Sequence, residues 1–402
     1  MTDVEQTLRR TLGQAAEQAP RLPALLPQRL ERIHRRRRQR ARMALAAAAV
    51  VLVAGGSVAV VGGGGGGGDT IMAATASGPR SEKPAEPVEK VWPEAVRKIP
   101  AKSPDGGSWR PWTFIDGHTL LMTSSAGSDR TTAVYAYDLD GDAPRKIATV
   151  PTPKGTVGSA NGFTAGNGYV AWWTETKDRV AHLWAVPLDG GTAKIVGDQR
   201  LDVADDGSGI DGLALVDGKI VFSLYTGGVF TVPVEGGEVQ PVDRGTGMHL
   251  LSWPWAGTPG LGGEPNGTRF GRIVNMETGE TRTAVVNPGE QLQICGVTIC
   301  AGRTAEHEPF FRKRDGSDQK IVPHDMIPMR PPTQDHRFYV SSYGDGKPEG
   351  VGLYDMDNGR SGDLGIPGEG YSIKMPSPDA TGRLFSYTLG NDFYLIDLAK
   401  IR

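Results

Sequence analysis

The chain has 402 residues, with 44 Lys and Arg against 46 Asp and Glu and a formal net charge of −2. That balance is uneven: residues 1–42 carry eleven Arg against four acidic residues, whereas residues 62–402 hold nine more acidic than basic side chains. An acidic main region excludes phosphate-backbone binding as its role, because that binding needs a basic face, so no nucleic-acid partner is expected.

The first 42 residues read as a basic tail with short helices. Thr2 and Glu5 form a capping pair, and Val4, Leu8, Leu12 and Ala15 follow at helical spacing. Leu25, Leu26, Leu30 and Ile33 then lead into a cluster that includes Arg35, Arg36, Arg37 and Arg38. Such a tail suits the inner leaflet of a membrane, or the docking of a cytoplasmic partner. Residues 43–61 contain no charged side chain, and as a helix their 19 residues would span roughly 28 Å, the thickness of a bilayer core. Flanking arginines stay on the cytoplasmic side. The expectation is a single-pass protein of the cell membrane, its N-terminus cytoplasmic and its larger part extracytoplasmic, with the lipid bilayer as the partner of residues 43–61. A cleaved signal peptide ending near Ala76 is the alternative, but the basic region is too long for one. Residues 62–91 open with seven glycines and continue rich in Ala, Ser, Pro and Glu, which predicts a disordered linker.

From Trp92 onward the pattern changes to short β-type runs divided by Gly, Asp and Pro. An apolar strand, an Asp/Asn-Gly turn and a strand often carrying Lys-Ile recur as a unit, first as Val134 to Gly141 followed by Arg145 to Ala148. Copies turn at Gly190, Gly236, Gly279, Gly316 and Gly359, at separations of 49, 46, 43, 37 and 43 residues. That period fits a four-stranded propeller blade. The last strand, Phe393 to Leu398, has nothing after it to pair with, while Val96 to Ile99 resembles a Lys-Ile strand lacking its partner. Their pairing would close the ring and remove an exposed edge. The predicted class is all-β, a seven-bladed β-propeller over residues 92–402. Six or eight blades, or a two-sheet sandwich, are the alternatives.

Cys295 and Cys300 sit on two short strands around a turn, where facing Cα atoms lie about 5 Å apart, so a disulfide is expected. No G-x-S-x-G elbow, H-E-x-x-H pair or P-loop occurs, and no cofactor, metal site or catalytic residue is proposed from the sequence. Asp138, Asp140 and Asp142 imitate a calcium loop but lack its glycine and its final Glu, so they are assigned to a turn. Asp202, Asp205, Asp206 and Asp211 read as a solvated acidic connection. Trp172, Trp173 and Trp184 lie in strand-like runs and are expected between blades. Trp253 and Trp255, beside the irregular Gly-rich stretch that ends at Gly263, are the candidates for an exposed ligand contact.

Leu183 to Gly191, Ser103-Pro-Asp-Gly106, and the run from Ser377-Pro-Asp379 to Leu398 resemble the TolB-type, WD40-like propeller repeat. The whole chain is similar to membrane-anchored propeller proteins of high-GC Gram-positive bacteria. This resemblance implies a propeller and a non-enzymatic binding or scaffold role toward a protein, peptide or envelope polymer, with transmembrane signalling through the tail as the alternative.

Overall fold

The computed structural model describes residues 70–73 and 83–402, apart from 128–129, 142, 203–208, 261–266, 322–337, 345–346, 356, 370–371 and 380–381. The expected tail, crossing and glycine tract lie outside the described residues. Among the described residues no helix is long and apolar enough to cross a membrane.

Seven antiparallel sheets follow one another along the chain. Blade 1 is built from Ser108–Phe114, Thr119–Ala126, Arg130–Asp138 and Ala143–Thr149; blade 2 from Thr156–Gly166, Tyr169–Thr176, Val180–Pro187 and Lys194–Arg200. Blade 3 comprises Ile210–Val216, Lys219–Leu224, Val229–Pro233 and Gln240–Pro241; blade 4 His249–Ser252, Trp255–Thr258, Arg272–Asn275 and Thr281–Thr283. Blade 5 has Gln291–Cys295, Ile299–Arg303, Pro309–Lys313 and Lys320–Ile321; blade 6 has Phe338–Tyr343, Gly350–Asp355, Ser361–Glu369 and Ser372–Met375. The first strands of blades 1 to 4 contact one another in succession, so the first strand of each sheet is the inner one. This is the seven-bladed β-propeller, and the six- and eight-bladed alternatives and the sandwich fall away.

Blade 7 draws on both ends of the domain. Ser377–Pro378, Leu384–Leu389 and Asp392–Asp397 supply three strands, and Val96–Pro100 supplies the outer one, with Val96 opposite Ile396 and Ile99 opposite Phe393. The turn glycines Gly141, Gly190, Gly236, Gly279 and Gly316 lie between third and outer strands, and Gly359 between Gly350–Asp355 and Ser361–Glu369 of blade 6. At Gly190, Gly236 and Gly316 the glycine N–H closes a four-residue turn, at 3.0, 3.0 and 3.1 Å, with φ of 112°, 103° and 90°, a region open mainly to glycine.

The predicted linker ends earlier than expected. Thr70–Ala73 pairs with Ser372–Met375, and the short helix Val88–Val91 packs on blade 6. Val88 and Trp92, four residues apart, are 0% and 4% exposed and join a core with Leu353, Ile366, Tyr387 and Ile396. Gly362 makes room for this helix, since a Cβ there would stand 2.8 Å from the Val88 Cα. Two apolar side chains in a Pro- and Glu-rich stretch are enough to order it, because blade 6 leaves that part of its third strand open.

The cores lie between blades. Trp172 is fully buried and Trp184 is 6% exposed, their rings stacked at 6.2 Å, in a cluster with Leu121 and Val134 of blade 1. Five junctions also receive a plug, the residue just after a third strand. Leu139, Leu188, Val234, Met276 and Leu398 each donate their N–H to the residue preceding their own second strand, at 2.7–3.0 Å, and set an apolar side chain into the neighbouring core.

Candidate functional site at the junction of blades 4 and 5

Blade 5 departs from this repeat. Its residue after the third strand is Arg314, whose N–H makes the same bond, to Thr298 O at 2.9 Å, but whose side chain is a guanidinium. Arg314 is 6% exposed. Its Nε donates to Gly296 O at 2.9 Å and Nη1 to Gly271 O at 2.9 Å, while Nη2 donates to Phe270 O. Burial, with Arg282 nearby, pushes its pKa down to about 10, so it stays charged at neutral pH.

Gly296 belongs to blade 5 itself, but the other two carbonyls, of Phe270 and Gly271, end the longest connection within any one blade, residues 259–271 between the second and third strands of blade 4. The base of this loop is closed by Phe270 N donating to Pro259 O at 2.7 Å. Its returning arm then runs parallel to the inner strand of blade 5. Arg269 N donates to Gln293 O and Cys295 N to Arg269 O, both at 2.9 Å, and Thr268 Oγ1 donates to Leu292 O at 3.0 Å. The N–H of Cys295 and the C=O of Gln293 point away from the second strand, so the arm covers the inner edge of the sheet. Among the described residues no other inner strand has such a partner on that edge along its length.

The same blade carries the Cys295–Cys300 disulfide, S–S 2.00 Å, between directly opposed residues of its first two strands. Cys300 in turn faces Arg312 across the ladder. Arg312 is fully buried, and its Nη2 donates to Glu290 Oε2 and Val285 O, both at 2.8 Å.

On the other side of blade 4, the loop meets a polar cluster. His249 Nδ1 lies 2.6 Å from Asp211 Oδ2, Ser223 Oγ donates to Asp211 Oδ1 at 2.5 Å, and Leu250 N donates to Ser223 Oγ at 2.8 Å. Gly260 backs against the imidazole, where a Cβ would sit 2.3 Å from the His249 Cγ. The order is hydroxyl to carboxylate to imidazole. Ser223 therefore meets a carboxylate and not an imidazole, unlike the hydroxyl–imidazole–carboxylate order of a catalytic triad, and the cluster ties the inner strand of blade 4 to blade 3.

Two sequence expectations are corrected here. Trp255 is 9% exposed, not a surface ring: it packs with Phe270 and Ile273, beneath the Arg282 guanidinium at 4.4 Å. Its place at the start of the second strand turns it into the junction core. Trp253 is half-buried, packed on the blade 3–4 core, with Nε1 donating to Glu277 Oε1 at 2.9 Å. Asp211, read as part of a solvated acidic loop, is instead the centre of the His249 cluster; Asp205 and Asp206 lie outside the described residues. Asp138 accepts from Asp140 N at 2.9 Å within a turn, and Asp142 is outside the described residues. The Arg314 signal was present in the sequence, as the one cation in a column of apolar plugs. The docking of residues 268–271 left no local signal.

No family model matches the chain, and no curated protein matches it. Among solved structures, an oligogalacturonate lyase in complex with manganese is 12% identical, with a TM-score of 0.45 over 76% of this chain and 96% of its own. A putative TolB from Agrobacterium tumefaciens is 13% identical, with a TM-score of 0.32 over 75% and 97%. YCF48 bound to D1 peptide is 11% identical, with a TM-score of 0.39 over 76% and 95%. The chain is similar to these propellers in fold alone.

Proposed function

We propose that the protein is a membrane-anchored binding module, its propeller displayed outside the cell and its blade 4–5 junction the surface that meets a protein partner. The observation that carries this is Arg314. Five other blades fill its slot with an apolar side chain, and burying a guanidinium costs several kcal/mol where a methionine would pack. The cation is used to hold the returning end of the 259–271 loop, and a loop fixed before binding loses less entropy on binding. Anchoring rests on the charge-free residues 43–61 and the arginines before them.

Crosslinking in intact cells tests the reading. A variant with residues 260–269 replaced by Asn-Gly should keep its melting temperature and lose the crosslinked partner. Capture unchanged in that variant would refute the assignment of the junction. The arginine-rich tail favours a second reading, in which occupancy outside alters what residues 1–42 bind inside; deleting residues 2–30 should then abolish the response while leaving capture intact.

A further inference from the structure

The inner strand of blade 2 breaks its ladder twice. Register slips between Val157 and Asn161 and again between Asn161 and Thr164, which leaves Asn161, opposite Trp173, between two bulges. Gly162 follows inside the second bulge, at a φ of 68°. Its N–H, released from the sheet, donates to the Oδ1 of Asn161 itself at 2.9 Å. Both residues are half-buried. Glycine is required at 162, since a Cβ there would stand 2.9 Å from the Trp173 Cδ1. Asparagine is not required at 161 in that way: among the described residues its side chain meets only the next nitrogen along the chain.

A glycine after an asparagine offers its backbone nitrogen to the preceding side-chain amide with no Cβ in the way. Two other Asn-Gly pairs lie wholly among the described residues, and the fold keeps both apart from such a reaction. At Asn358 the Gly359 N–H is held by Asp355 O and the Asn358 Oδ1 by Arg360 N, both at 2.9 Å. Asn167 takes a φ of 51° and Gly168 one of 78° in the two-residue hairpin turn between Gly166 and Tyr169. No bond joins the Gly168 nitrogen to the Asn167 side chain. Of the three pairs, Asn161–Gly162 alone brings nucleophile and amide together.

We infer that Asn161 is a self-modification site, converted by intramolecular deamidation. The Gly162 nitrogen gives its proton to solvent hydroxide and bonds to the Asn161 Cγ. The Cγ–Nδ2 bond breaks, and Nδ2 leaves as ammonia with a proton from water. The cyclic imide then takes up a water molecule and opens to aspartate or, through its other carbonyl, to isoaspartate. No electrons are transferred; the net change is amide and water to carboxylate and ammonium. Holding the nitrogen on the amide supplies a proximity that a free chain samples only briefly. Isoaspartate also adds a backbone atom next to Gly162. Trp173 lies against both Gly162 and Gly209, the residue before the inner strand of blade 3, where a Cβ would stand 2.8 Å from the ring. The product therefore loosens the junction of blades 2 and 3. The inference is independent of the binding reading above and uses none of the blade 4–5 residues.

The test incubates the full chain in detergent at mildly alkaline pH and follows each Asn-Gly peptide by mass spectrometry, with isoaspartate identified by its fragmentation. Asn161 should convert about tenfold faster than Asn167 or Asn358. The difference should vanish in urea, where sequence alone sets the rate. N161Q, which can cyclise only through a larger ring, should yield almost no converted peptide at this position. It should melt as the parent does, because the Asn161 side chain holds nothing but the Gly162 nitrogen. After ageing, the parent should melt lower than aged N161Q. Its Tyr225 amide, bonded to Gly209 O at 2.9 Å, should also exchange faster. Equal rates at the three pairs in the folded protein, or conversion of Asn161 slower when folded than in urea, would overturn the inference. Aged parent and aged N161Q with the same melting and exchange would overturn the link to blade 3.

Discussion

Replacing Arg314 with methionine separates what the fold needs from what the loop needs. In the slot, the guanidinium makes three bonds to carbonyl oxygens, each worth about 1.5–3 kcal/mol as a bond from a charged donor. Against them stands the desolvation of a cation, several kcal/mol by itself. The two nearly cancel, and Met276 shows that methionine fits the same place in blade 4. R314M should therefore unfold in urea within about 1 kcal/mol of the parent. R314A leaves a void and should lose about 3 kcal/mol, as M276A should in its own slot. The loop behaves differently: with Gly271 and Phe270 carbonyls released in R314M, the amides of Arg269, Phe270 and Cys295 should exchange at least tenfold faster, while those of blade 2 are unchanged. If R314M is as unstable as R314A, the bonds are a requirement of the fold. If exchange at residues 269–270 is unaltered, Arg314 does not hold the loop, and the case for a preorganised surface goes with it.

Three further outcomes are expected. Removing the disulfide as C295A/C300A should lower stability by about 2 kcal/mol, the value for so short a loop; a loss beyond about 5 kcal/mol would mean the bridge does more than close a hairpin. I99D, which places a carboxylate where the side chain is 2% exposed in the closing strand, should abolish cooperative melting by circular dichroism, whereas K98D on the exposed face should not; a normal melt for I99D would show that the ring does not depend on that pairing. Burial would raise the Asp105 pKa, but its bonds from Ser103, Ser124 and Thr132 outweigh it and hold the carboxyl below the ordinary value. Its folded pKa thus lies under the unfolded one, so its contribution is present above about pH 4 and is lost as pH falls through the folded value. D105N should flatten the acid limb of the stability profile, and an unchanged slope would refute the assignment.

Much of the ring was legible because its signals are local. A strand that ends in a polar residue and glycine forms its turn from its own backbone, so six such turns announce six blades before any contact is known. The seventh followed from an accounting of edges: Phe393 to Leu398 lacked a partner, and so did Val96 to Ile99. The junction was less legible for the opposite reason. Thr268 to Gly271 gains its bonds to blade 5 from residues more than twenty positions away, and nothing in Asn-Gly-Thr-Arg-Phe-Gly states which neighbour it will meet. Trp255 was misjudged because a glycine-rich neighbourhood suggested a surface, whereas the strand it opens fixes its direction. His249, Asp211 and Ser223 are separated by 38 and 12 residues and are brought together only by the stacking of blades 3 and 4.

A ring of similar blades faces a problem that apolar cores do not solve. Volume-matched hydrophobic surfaces tolerate exchange, so one blade could pack on the wrong neighbour at little cost. Among the described residues, six of the seven junctions carry a polar tie, three of them a guanidinium on a backbone carbonyl and three a side-chain pair. Arg383 of blade 7 donates to Gly117 O of blade 1 while paired with Asp397, and Arg145 of blade 1 donates to Leu188 O of blade 2. Tyr169 meets Glu235 across blades 2 and 3, Asp211 meets His249, Arg314 meets Gly271, and Lys320 meets Asp357 of blade 6. The remaining junction, between blades 6 and 7, is the one filled by Val88, Trp92 and Val96 from the N-terminal side, which can occur in only one place in the chain. None of these ties need add much net stability, and the exposed Lys320–Asp357 pair adds little. Their effect is on the alternatives: a misplaced blade would leave a buried Asp211 or Arg314 without its partners, at a cost of about 3–5 kcal/mol for a single broken buried pair. Blade order is thus enforced by penalties on wrong neighbours, and Arg314, the most deeply placed cation among the ties, serves that order and the loop through the same two bonds, to Phe270 and Gly271.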